Sequence, residues 1–225
     1  VIQQPMLKTA HGHEPLSKIT KQLHSHCIPA ESSSQRQKHP KLGCFCYTSH
    51  MKILLIRHGE TTGDLEDRYG GSYDDHLTDK GREQLAQTAT QVAEENIEII
   101  FYSPLIRARE SAEIISEAND VPIKQWDGLE ERHYGILTGL TKQEALEKYP
   151  EAVGAHKNPL DTDPEGESFE EFNNRVVAAF EEIKKEQYQT IAILAHGGSL
   201  KRILSYLGEP LLDSIADGGV IEVAV

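Results

Sequence analysis

Cysteine is the first thing this sequence is short of. The 225 residues hold three, Cys27, Cys44 and Cys46, and none after residue 46. No disulfide can brace the later chain, a usage that fits a reducing compartment, and a cytoplasmic location is expected. Long apolar runs are absent too. Hydrophobic residues make up 38% of the chain and no stretch approaches the 20 or so needed to span a bilayer. No continuous apolar segment marks a secretory signal near the start. Positive charge is also scarce, 23 Lys and Arg against 36 Asp and Glu, net −13. That balance excludes the basic face a polyanion needs, so neither nucleic acid nor membrane is expected as a partner. It does not exclude a small phosphorylated metabolite, which responds to local arginines rather than to the net field.

What is present divides at residue 50. Residues 1–50 carry six Lys or Arg against two Asp or Glu, whereas residues 51–225 carry 17 against 34. The first stretch is rich in Gln, Ser, Pro and His and lacks a sustained apolar period, so it reads as a disordered tail. Cys27, Cys44 and Cys46 with His24 and His26 match no usual zinc-ligand spacing. A metal-binding interaction tail is the weaker reading. Patterned sequence begins abruptly at Met51, which suggests that the preceding residues are upstream sequence rather than part of the natural chain.

From Met51 on, strand and helix signals alternate. Lys52–Ile56 and Thr190–His196 are apolar runs of the kind buried on both faces of a parallel sheet. Ile97–Ser103, Val121–Trp126 and Val220–Val225 add three more strands. Helices are expected after Thr78 to about Glu95, from Arg107 to about Ala118, and from Ser199 to Leu207. Two capping boxes, Thr141 with Glu144 and Ser168 with Glu171, start two others. Residues 62–73, 128–139 and 150–166 read as loops. The pattern predicts a single α/β domain over 51–225, a three-layer α/β/α sandwich with a largely parallel central sheet.

Two strands end in the same device: Arg57-His58-Gly59-Glu60-Thr61 and Ala195-His196-Gly197-Gly198-Ser199. Ligand sites of open α/β sheets lie beyond the carboxyl ends of strands. Two histidines in that setting, one beside an arginine, suggest a phosphoryl pocket. Arg57 and Arg107 supply bidentate forks for phosphate oxygens, a neutral imidazole supplies a nucleophile, and a carboxyl at 130 or 131 supplies an acid. No carboxylate cluster, Walker A loop or HExxH helix appears, so neither metal nor other cofactor is expected.

The chain resembles the histidine phosphatase superfamily, which includes the cofactor-dependent phosphoglycerate mutases. The likeness rests on Arg57–Thr61, Leu77-Thr78 with Gly81, Tyr102-Ser103 with Leu105 and Arg107-Ala108, Glu131 with Gly135, Gly166-Glu167-Ser168, and Ala195–Gly198, in the family's order. It implies that His58 is the phosphorylated nucleophile. Arg57, Arg107 and His196 would grip the phosphoryl oxygens, and Glu131, not Glu130, would be the acid. If Nε2 of His58 attacks, its Nδ1–H should be held by a carbonyl near Gly59. His76 and His133 are expected at the surface or rim. Asp64 stands where many relatives carry asparagine, which weakens its reading as a substrate contact unless a cation such as Arg68 pairs with it.

The stretch Arg132-His133-Tyr134-Gly135 with Gly139-Leu140-Thr141-Lys142 resembles the mutase branch, in which Arg132, Tyr134 and Lys142 would hold a substrate carboxylate or second phosphate. The insert with paired arginines and prolines expected of mutases is absent, and residues 158–165 are acidic. A phosphatase acting on a small phosphomonoester is therefore favoured over a mutase. A non-catalytic phosphate-binding regulatory module is the alternative of another class. Removal of residues 1–50 is expected to leave melting temperature and activity intact, measured side by side with the full chain. A large loss of either refutes the reading of the tail.

Overall fold

Strand β1 (Lys52–Arg57) runs through the middle of the fold, and Ile53, Leu54, Leu55 and Ile56 are all buried. This is a computed structural model, and it describes residues 50–158, 160–210 and 212–225. The readings made for residues 1–49 lie outside the described residues. Around β1 come β2 (Ile99–Tyr102), β3 (Ile123–Gln125), β4 (Thr190–Ala195) and β5 (Val220–Ala224). Their spatial order is β3-β2-β4-β1-β5, parallel throughout except for β5, which runs antiparallel to β1.

Alternation along the strands builds two cores. Ile53, Leu55, Phe101, Ile191 and Ile193 face one way, against α6 (Phe169–Ile183) and α7 (Gly197–Tyr206). Leu54, Ile56, Ile100, Ala192 and Leu194 face the other, against α2 (Asp79–Gln91) and α3 (Ile106–Asn119). Helices on both faces of a mostly parallel sheet make the three-layer α/β domain expected from the sequence. No helix among the described residues is long and apolar enough to cross a membrane.

The caps hold where the sequence placed them. Thr78 caps α2 by accepting from the Gly81 N–H, and the boxes at Thr141/Glu144 and Ser168/Glu171 are complete, each worth about 1 kcal/mol. Two expectations change. Residues 62–73 contain a short helix, α1 (Thr62–Leu65), and residues 150–166 contain α5 (Pro150–Ala155), next to α4 (Lys142–Lys148). Pro150 occupies the first position of α5, where its missing N–H costs nothing and its fixed φ suits the helix. The segment expected as a loop from Pro150 thus begins as a helix.

One close approach fixes the turn after β1. The Thr78 N–H donates to the Glu60 carbonyl (3.0 Å), and the α2 start lies so near that a Cβ at Gly81 would overlap the Glu60 carbonyl oxygen. Gly81→Ala is expected to cost about 1–3 kcal/mol in urea denaturation, the usual range for overpacking. It should also lower activity more than a distant change of equal stability cost, because the displaced residues follow His58.

Candidate active site

The register sets the site. Arg57 lies opposite Ala195 in the parallel pair of β1 and β4, and the next residue in each chain is a histidine. The His58 N–H donates to the Ala195 carbonyl at 3.1 Å, and the two rings stand 5.1 Å apart between centroids. Both histidines are buried, at 6% and 1% exposure. Burial is the main force holding each well below the ordinary imidazole value, and the Arg107 charge adds to it. Both rings are therefore neutral near pH 7.

A hydrogen bond assigns the His58 tautomer. The Nδ1–H of His58 donates to the Gly59 carbonyl (2.8 Å), the contact anticipated from the sequence, which leaves the Nε2 lone pair to accept from the Arg107 Nε–H at 3.3 Å. At His196, Nε2 lies 2.7 Å from the Ser103 hydroxyl. That hydroxyl also accepts from the Leu105 N–H, and it serves His196 Nε2 with its proton or its second lone pair according to the ring's tautomer. This Nδ1 is buried and has no partner among the described residues.

The two arginines are held differently. Arg107 is 3% exposed and reaches Asp75 (2.8 Å) and the carbonyls of Tyr73 (2.5 Å) and Gly71 (2.7 Å). Removing either charge of such a buried pair typically costs about 3–5 kcal/mol. Arg57 donates to the Ile215 carbonyl (2.5 Å) and pairs with Asp217 (3.0 Å), while its buried Nε has no hydrogen-bond partner among the described residues. Arg57 Nε and His196 Nδ1 are thus buried polar atoms at the ends of paired strands that a ligand can satisfy.

Glu131 reaches the site from the irregular segment before α4. Its carboxyl accepts from the Gly198 N–H in the first turn of α7 (2.7 Å) and from the Arg132 N–H (2.9 Å). A Cβ at Gly198 would overlap that carboxyl, so the second glycine after His196 makes room for it. Glu130 instead bonds the Gly128 N–H and pairs with Arg175. A cleft of about 180 Å³ is lined by Arg57, His58, Arg107, Glu131 and Tyr134, with Asp64 on its wall. Arg57, Glu131, Tyr134 and Gly197 also line a neighbouring, larger cavity of about 630 Å³.

The remaining sequence candidates divide. Burial lifts the Tyr134 phenol above its usual range, so it lines both spaces as a neutral hydroxyl. Asp64 caps α1, accepting from the N–H and hydroxyl of Thr61, while Arg68 turns to Glu66 and the Gly139 carbonyl. Arg132 donates to the carbonyls of Asp161 and Glu167. Lys142 pairs with Asp67 and lines neither space. His76 and His133 are on the surface, bonded to Glu110 and to the Gly135 N–H. Sequence reasoning gave no role to Asp75, Ser103 or Asp217. Ser103 was detectable as a hydroxyl at a strand end, whereas the two acids gain meaning only from the arginines they meet.

Residues 53–217 match the model of the histidine phosphatase superfamily (branch 1). The chain belongs to that superfamily. An uncharacterized phosphatase, PhoE of Bacillus subtilis, is 31% identical to this superfamily member over 165 residues, covering 72% of this chain and 81% of the relative. A 2,3-bisphosphoglycerate-dependent phosphoglycerate mutase from Gloeobacter violaceus is 33% identical over 163 residues, covering 69% and 74%. The solved structure of Bacillus stearothermophilus YhfR superposes with a TM-score of 0.70 at 29% identity, covering 76% of this chain and 90% of that one.

The depressed imidazoles make the stability of this histidine phosphatase superfamily member depend on pH. Unfolded histidines take up protons near about pH 6.5 while the folded rings do not, so the unfolded state binds more protons below that value. Stability is therefore full above about pH 6.5 and is lost as pH falls below it. Urea denaturation across this window should show a shallower fall for the His58→Gln/His196→Gln double variant. Equal slopes would refute the assignment.

Proposed function

We propose that this protein is a phosphatase that hydrolyses a small phosphomonoester through a phosphohistidine. The observation that carries the reading is the Gly59 carbonyl's hold on the Nδ1–H of His58, which leaves Nε2 as the nucleophilic nitrogen in a cleft lined also by Arg57, Arg107 and Glu131. A phosphoryl group seated in the smaller cleft would take the guanidinium N–H groups of Arg57 and Arg107 on its oxygens, the Arg107 Nε–H passing from His58 Nε2 to the phosphoryl oxygen. Nε2 forms the N–P bond as the bond to the leaving oxygen breaks, and Glu131 gives that oxygen its proton. Water then attacks phosphorus, Glu131 accepts the water's proton, and the N–P bond breaks to release inorganic phosphate. Two guanidiniums provide the positive charge that phosphoryl transfer needs, so the reaction we infer requires no metal. A core without cysteine suits the reducing cytosol in which we place it.

Hydrolysis is favoured over mutation of a phosphoglycerate by where the extra cations go. Arg132 braces the backbone at 161 and 167, and Lys142 pairs with Asp67, so neither stands ready for a second phosphate. A binding module without catalysis has no need of a carboxyl beside an oriented imidazole. His58→Ala should lower turnover of an aryl phosphate by several orders of magnitude while the circular dichroism spectrum and melting temperature change little. Rapid quenching of the wild type with radiolabelled substrate should trap an acid-labile, alkali-stable adduct that His58→Ala lacks. Isomerisation of 3-phosphoglycerate faster than aryl phosphate hydrolysis would overturn the phosphatase reading in favour of a mutase.

A further inference from the structure

The leaving group has its own room. Glu131, which would protonate the leaving oxygen, sits on the boundary between the 180 Å³ cleft and the 630 Å³ cavity. Whatever is attached to that oxygen must extend into the larger space, whose volume is that of a ring-sized ligand rather than of a two- or three-carbon alcohol. Phe169, Phe172, Leu212 and Ile215 give it apolar walls.

Arg202 also lines this cavity, from α7, one helix turn beyond Gly198. Its guanidinium stacks over the Phe169 ring at 4.7 Å and makes no hydrogen bond or ion pair among the described residues. The side chain is half-buried, and desolvation lowers its hold on its proton while the charge of Glu131 opposes this. Most other arginines around the site are committed: Arg57 to Asp217, Arg107 to Asp75, Arg132 to loop carbonyls, Arg175 to Glu130 and Glu167. A partly desolvated cation on an aromatic platform, with its fork unused, is poised for a planar anion. The rim limits that anion to one charge, because Asp161 and Asp213 line the same cavity and the Lys201 ammonium is engaged by the Asp213 carbonyl. A carboxylate, with a single charge, meets less repulsion from these acids than a phosphate dianion does.

We infer that the substrate is the phosphate ester of a ring-sized, partly apolar alcohol bearing one carboxylate, and that Arg202 and Phe169 select it. The inference rests on the phosphatase reading above, and it makes Arg202 a specificity residue. The probes are phenyl phosphate and 4-carboxyphenyl phosphate, which share a scissile bond and differ by the carboxylate. The readout is the ratio of kcat/KM for the charged ester to that for the neutral one, which cancels general damage to the enzyme. The wild-type ratio should exceed tenfold. Arg202→Met should reduce it at least tenfold, mainly through KM of the charged ester, and Arg202→Lys should fall between, having charge but no fork. A wild-type ratio near one, or a ratio unaltered in Arg202→Met, overturns the role of Arg202 and leaves the phosphatase reading standing. Hydrolysis of neither ester by the wild type overturns both.

Discussion

Parallel pairing of β1 with β4 is the constraint on which the rest depends. Because Arg57 and Ala195 are partners in register, His58 and His196 leave the sheet side by side, although 138 positions separate them in the chain. A one-residue slip would send one ring to the opposite face and end the arrangement. The apolar cores on both faces oppose such a slip, since every strand residue from Ile53 to Ile56 and from Ile191 to Ala195 is buried. Catalytic geometry here is a by-product of core packing. The imidazoles are placed by aliphatic side chains that never touch a substrate.

The electrostatics follow from that placement. Two rings pushed into a dry sheet end next to two guanidiniums cannot hold extra protons, so they stay neutral and nucleophilic or donating, according to tautomer. Positive charge in the cleft is then carried by arginines alone, which do not titrate. Each is balanced by an acid from another part of the fold, Asp75 for Arg107 and Asp217 for Arg57. Without such partners the buried cations would cost more than the fold could supply.

Much of this was legible in the sequence, for identifiable reasons. Strand ends carrying Arg-His-Gly and His-Gly-Gly are visible because apolar runs stop at charged or polar residues, and capping boxes are visible because their spacing is local. The Gly59 carbonyl contact could be anticipated because it needs only one residue's reach. What could not be read depends on long-range meeting. Asp75 and Asp217 look like any surface acids until Arg107 and Arg57 arrive beside them. Arg132 and Lys142 looked like substrate ligands from their neighbours in the chain, but the loops at 161–167 and Asp67 take them up. Pro150 misled because a proline's meaning depends on whether a helix follows it or precedes it.

Arg107 gives this enzyme a mechanical property as well as a chemical one. Its guanidinium ties Gly71, Tyr73 and Asp75 into one knot behind His58. An anion drawing on the same cation would have to loosen or share those tethers, so occupancy of the cleft and stiffness of the segment at 71–75 would be two readings of a single balance. Departure of that anion and the tightening of the segment would then belong to one event, with its tempo set by how quickly a backbone regains its grip on a cation.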